Sequence, residues 1–211
     1  PPISGPGVRC VARYPERAVA QPANVGMMDP AYWGTATPIL MLSGCNWKSS
    51  GGGQRPVALC REFAACGHPV LYHNCMQGAE THWAGGPLVL RGDALDGAVE
   101  QLLAARITGA AILTLPSSGL VDKCVRLQRA GWTIVYDVID DWEAFRASGD
   151  LTGDYSVPLE KQLARMVDAV TASAHSLAAK VYRWTGRTAT LVPNAGPHAP
   201  IPDCEPPGDM A

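Results

Sequence analysis

From Pro38 onward the chain repeats one pattern: a short run of consecutive apolar residues, then a longer stretch with helical spacing. The apolar runs are Ile39-Leu40-Met41-Leu42, Val70-Leu71-Tyr72, Leu88-Val89-Leu90, Ala110 to Leu115, Thr133 to Ile139, Ala169 to Ala172 and Thr190-Leu191-Val192. Between them the spacing predicts helices over Val57 to Cys66, Leu95 to Arg106, Leu120 to Arg129, Leu159 to Val167 and Ser176 to Trp184. Runs that are apolar throughout, rather than at alternate positions, suit strands covered on both faces. Strands and helices alternating at this spacing mark βαβ units. The expected fold is therefore α/β, a doubly wound, mainly parallel, Rossmann-like sheet.

The flanks read differently. Residues 1–37 hold Pro1, Pro2, Pro6, Pro15, Pro22 and Pro30, several glycines, and no sustained period. Proline lacks the N–H that ladders need, so this segment is expected to be an extended arm. The α/β domain is expected over 38–194. Pro193 and the prolines between Pro200 and Pro207 make 195–211 a linker or tail.

Composition narrows the classes. With 211 residues and 47% apolar content, the chain can bury one substantial core. A net charge of −2 gives no general attraction to nucleic acid or an anionic membrane. No apolar run approaches the roughly 18–20 residues that span a bilayer, and the start lacks a signal-peptide layout. Pro1 in place of Met suggests a trimmed beginning. Seven scattered cysteines without a C-x-x-C pair suggest reduced thiols in a cytoplasm. Cys60, Cys66, His68, His73, Cys75 and His82 invite a zinc reading. Cys60 and Cys66 are six apart on one expected helix and share a face poorly, which favours the plain reading of no metal.

Two stretches carry chemistry. Gly51-Gly52-Gly53-Gln54-Arg55-Pro56 follows the first strand and opens a helix. Glycines let a backbone approach a ligand, a helix start favours an anion, and Arg55 adds a charged fork. Pro56 fits the first helical turn. The same glycines also suit a β–α turn that binds nothing. The stretch is neither a Walker loop nor G-x-G-x-x-G. The second is Val135-Tyr136-Asp137-Val138-Ile139-Asp140-Asp141-Trp142. A strand ending in carboxylates presents them where open α/β sheets bind ligands. Adjacent Asp140 and Asp141 cannot point the same way on an extended chain, so one faces the cleft and the other caps a helix. Asp137, inside the strand, needs partners if buried.

The ordered set Gly52-Gly53, Leu59, Phe63, Gly67-His68 and Val70 resembles the first βαβ unit of GT-B fold glycosyltransferases. Asn46-Trp47, Gln54-Arg55-Pro56 and Tyr136-Asp137-Val138-Ile139-Asp140-Asp141-Trp142 resemble a bacterial cell-wall and exopolysaccharide subgroup. Val167-Asp168-Ala169-Val170, Ser173 and Val192-Pro193-Asn194 resemble the closing pattern of the acceptor-side domain. The likeness runs from Ile39 to Asn194. It departs at Asn194-Ala195-Gly196-Pro197-His198, where relatives continue Gly-Val-Asp, and at Asp140, where the wider retaining family often holds a histidine.

The resemblance implies the acceptor-binding half of a glycosyltransferase, moving a sugar from a nucleotide-sugar to a glycan or lipid-linked acceptor. It implies that Gly52, Gly53 and Arg55 touch the donor diphosphate and that Asp140 binds or orients a hydroxyl. Trp47, Asp141 and Trp142 would form the acceptor wall, although both tryptophans also suit packing. Gly67 is expected as a left-handed helix cap, with His68 a turn residue. No metal or other cofactor is implied, the nucleotide-sugar being a co-substrate, and no nucleic acid. A C-terminal GT-B domain or separate subunit would supply the donor pocket, so this chain alone is expected to be inactive. The implied place is the cytoplasm, or the periphery of the plasma membrane's inner face. The alternatives are a non-catalytic binding or assembly module of the same fold, or an unrelated nucleotide- or flavin-binding enzyme.

Overall fold

The computed structural model describes residues 33, 35–45, 47, 55–74, 82–83, 87–90, 94–149 and 155–194. The strands are β1 (Ile39–Ser43), β2 (Val70–Asn74), β3 (His82–Trp83), β4 (Leu88–Leu90), β5 (Ala110–Leu113), β6 (Thr133–Val138), β7 (Ala169–Ala172) and β8 (Thr190–Leu191). The helices are α1 (Arg55–Ala65), α2 (Leu95–Ala104), α3 (Ser118–Arg129), α4 (Trp142–Ser148), α5 (Val157–Met166) and α6 (His175–Thr185). The strands form one sheet in the order β3-β4-β2-β1-β5-β6-β7-β8, parallel except for β3 at the edge. This is the doubly wound α/β arrangement that the apolar runs predict.

The winding follows from right-handed crossovers. The chain moves outward from β1 to β2 with α1 on one face. It returns through α2 to β5 and moves outward the other way, with the later helices on the opposite face. The core divides accordingly. Leu40, Leu42, Leu113, Ile134, Tyr136 and Val170 pack with Leu102, Leu127, Leu163 and Val181 of α2, α3, α5 and α6. Ile39, Met41, Tyr72 and Ile112 pack with Val57 and Cys60 of α1. Alternation along each strand sends neighbours to opposite faces, which explains why continuous apolar runs were needed. No helix among the described residues is long and apolar enough to cross a membrane.

Local chemistry sets several boundaries. Gly67 has φ 87, and the His68 N–H donates to the Phe63 carbonyl at 3.0 Å, closing α1 with the expected left-handed cap. Gly109 allows β5 to start against the Pro38 carbonyl, which would lie 2.3 Å from an added Cβ. Two short elements escape the sequence pattern. β3 has two residues, and α4 has seven residues with only Trp142 buried, so neither shows a period. Of the expected arm, Trp33 and residues 35–37 are described, and Trp33 is buried in the larger core cluster. The rest of that arm and the expected tail 195–211 lie outside the described residues.

Candidate functional site at the carboxyl edge of the sheet

The strand order reverses between β1 and β5, whose outgoing chains turn toward opposite faces. The crevice that this opens at the carboxyl ends is where open α/β sheets take ligands. On the α1 face the strands change character as they reach this edge. Ile39, Met41, Ile112 and Val135 are apolar, and the next outward positions on that face are Ser43, Thr114, Asp137 and Thr171. Leu42, Leu113 and Tyr136 stand in register one residue earlier, and Asp137 pairs with Thr171. The four polar residues therefore form a row across four neighbouring strands.

Asp137 is the anchor of that row. Its carboxylate takes Arg55 Nε at 2.8 Å and Nη2 at 3.0 Å, with the Thr171 hydroxyl at 2.6 Å. Both ionic side chains are nearly inaccessible, at 9% and 2% exposure. Arg55 Nη1 also donates to the Val192 carbonyl at 2.6 Å, to the Pro193 carbonyl at 3.3 Å and to Asn194 Oδ1 at 3.4 Å. The partners that a buried Asp137 required are thus the first residue of α1 and β7. The guanidinium read as a phosphate fork is held by a carboxylate and by the chain leaving β8. Gly52 and Gly53 lie outside the described residues.

The adjacent aspartates divide their work. Asp141 caps α4 by accepting the Ala144 N–H at 3.3 Å, and it pairs with Lys180 of α6. The Lys180 hydrogen bond is the main reason its carboxyl sits below the usual range. Asp140 follows β6 without capping anything. Among the described residues its carboxylate has no hydrogen-bond partner, and partial burial pushes its pKa up. Asp140 also acts across the sheet. Burial chiefly raises the Cys45 thiol, the Ser43 hydrogen bond lowers it, and the Asp140 charge raises it further. Cys45 lies beyond β1 and Asp140 beyond β6, so the two flank the end of β5 in the strand order.

The tryptophans are packed. Trp47 meets Tyr72 edge-on with centroids 4.9 Å apart, and the Arg61 guanidinium lies 5.5 Å from its ring centroid. Trp142 starts α4 with its ring 5.9 Å from Phe145, and its buried Nε1 has no partner among the described residues. The turn after β1 is tied down by the Tyr72 hydroxyl, which donates to the Cys45 carbonyl at 2.6 Å. Cys45 N–H in turn donates to Ser43 Oγ at 2.9 Å.

Other polar residues brace the sheet away from this crevice. Glu160 is fully buried and accepts from the hydroxyls of Tyr136 at 2.7 Å and Tyr155 at 2.6 Å. Asp168 accepts the Ile134 N–H at 2.7 Å and so fastens the start of β6. His68 bonds the Thr37 carbonyl at 2.9 Å, in keeping with a turn residue. Cys60 lies in the α1 core, where burial raises its thiol, and no metal-holding group of His, Cys, Asp or Glu occurs among the described residues. Among the described residues the edge offers an unpaired carboxylate, hydroxyls, and a guanidinium already matched by an acid, a set suited to binding or deprotonating a hydroxyl. No protein-family model and no curated protein matches this chain.

Proposed function

We propose that the chain is the acceptor-binding half of a glycosyltransferase, and that Asp140 receives the acceptor hydroxyl at the carboxyl edge of the sheet. The observation that carries this reading is the placement of Asp140. It is a half-buried carboxylate just beyond β6, beside the strand-order reversal, with no hydrogen-bond partner among the described residues. Burial favours its proton-bound form, which brings its affinity for a proton nearer to that of a general base working at neutral pH. The ordered resemblance from Ile39 to Asn194 supports the same class.

In this reading Asp140 orients the acceptor hydroxyl or takes its proton as the bond to the transferred sugar forms. Asp141 and Lys180 fix the helix behind it, and the Arg55–Asp137 pair fixes the floor beside it. The nucleotide-sugar would be held chiefly by a partner domain or subunit, with Gly52 and Gly53 at its diphosphate. Titrating UDP-, GDP- and dTDP-sugars against this chain, with short glycans in parallel, tests the division of labour. Glycans are expected to bind and nucleotide-sugars to bind weakly. Tight binding of a nucleotide-sugar without any glycan binding overturns the reading.

A further inference from the structure

Besides Trp142 Nε1, one hydroxyl at this edge is without a partner among the described residues. Thr114, at the end of β5, is fully buried, and among the described residues its Oγ1 has no hydrogen-bond partner. A hydroxyl that leaves water without gaining a partner destabilises the fold, and valine would fill the same space without that cost. The neighbouring members of its row are all engaged. Ser43 accepts from Cys45, and Asp137 is shared by Arg55 and Thr171.

Asp140 is a further group without a partner among the described residues; it follows β6, the strand paired with β5 through Leu113 and Tyr136, three residues beyond the position level with Thr114. Thr114 can donate and accept, and Asp140 accepts. Arg55 is already neutralised by Asp137. This set matches an uncharged hydroxyl-bearing ligand, whereas a phosphate would meet the Asp140 charge without a free cation from the described residues. An added Cβ on Gly44 would lie 2.7 Å from Leu115 Cδ2, so the turns after β1 and β5 close tightly here. A ligand must part them to reach Thr114.

We infer that Thr114 and Asp140 together bind hydroxyls of a neutral saccharide at the strand-order reversal, Thr114 being the specificity-determining contact at its floor. The inference rests on the acceptor reading above and adds the ligand's charge class and a residue that no motif marks.

The probes are the methyl glycosides of glucose, mannose, galactose and N-acetylglucosamine, with inorganic pyrophosphate as the charged control. Each is titrated into the full chain while the amide resonances of Cys45, Thr114, Leu115 and Asp140 are followed. At least one glycoside is expected to move these amides, and pyrophosphate is not. Thr114→Val should raise the thermal midpoint and weaken that glycoside roughly three- to tenfold, the loss of one neutral hydrogen bond. Thr114→Ser keeps the hydroxyl and should bind nearly as the parent does. If Thr114→Val does not fold, Asp140→Asn, which removes no internal bond, serves as the second variant and should weaken binding. Unchanged glycoside affinity in the folded variant, four silent glycosides, or amides moved by pyrophosphate instead would overturn the inference. Thr114-dependent glycoside binding in a chain that supports no sugar transfer with any donor partner would sink only the glycosyltransferase reading.

Discussion

Arg55 and Asp137, 82 residues apart, meet as a two-pronged ion pair at the carboxyl edge of the sheet, Nε to Oδ2 at 2.8 Å and Nη2 to Oδ1 at 3.0 Å. The pair joins the start of α1 to β6, and the third guanidinium nitrogen holds the carbonyls leaving β8. A fork of fixed geometry is what lets one side chain tie three segments together.

Removing one partner strands the other in a buried place. Arg55→Met is expected to destabilise the fold by about 3–5 kcal/mol, measured by urea denaturation. Arg55→Lys should recover only part, because an ammonium cannot make the paired contact. The double change Arg55→Met with Asp137→Leu should be less damaging than Arg55→Met alone. Unchanged stability in Arg55→Met would show that the pair is not formed.

The Glu160 cluster predicts an alkaline limit. Burial first, then the Glu160 charge and hydrogen bond, push the Tyr136 hydroxyl well above its ordinary 10.0. Tyr155 is raised by the same causes. The folded state therefore favours the protonated tyrosines. Their contribution is complete below the unfolded value and is lost as pH rises through the folded one. Urea midpoints between about pH 8 and 11 should fall steeply above 10, and less steeply in Tyr136→Phe. At neutral pH that variant should lose about 1–3 kcal/mol, since Glu160 gives up a donor. Parallel slopes in the two proteins would contradict the assignment.

Gly109→Ala tests the close approach of two backbones. The new Cβ would sit 2.3 Å from the Pro38 carbonyl oxygen and 3.0 Å from the Trp132 ring. Neither the carbonyl, which accepts the Ala110 N–H, nor the indole, which donates to the Ile107 carbonyl, is free to yield. A loss of at least about 1–3 kcal/mol is expected by thermal or urea unfolding. Gly97→Ala, with open space around it, should be neutral or stabilising.

Asp140→Asn should separate stability from function. The carboxyl is raised by burial above its ordinary 3.8, so its contribution to stability is complete below that pH and is lost as pH rises through the folded value. Asparagine carries no such loss, and the unfolding midpoint at neutral pH should stay within about 0.5 kcal/mol or rise slightly. Sugar transfer, assayed with a donor-binding partner, should fall by about 10²–10⁴-fold. A variant that transfers normally would remove Asp140 from the site.

Strand and helix positions were legible because burial on two faces leaves uninterrupted apolar runs, and helices leave a period. β3 and α4 were not, being too short to show either. The adjacent aspartates were legible as a divided pair, since extended backbone sends neighbours apart. Which one caps was not, because that depended on where α4 begins, and its seven residues are too few to show a period. Arg55 looked like a ligand-binding fork, and nothing nearby in sequence announced that Asp137 would occupy it. Thr114 carried no signal, as a threonine closing an apolar run looks like any strand residue.

By itself the sequence determined the α/β class, the parallel winding and the edge at which carboxylates gather. These follow from local pattern, namely period, turn chemistry and the order of elements. Only the tertiary structure decided which charges are matched and which polar atoms are left over. Arg55 with Asp137, Glu160 with two tyrosines, and Thr114 without a partner among the described residues are outcomes of strand order and register, which bring together residues that the chain keeps far apart.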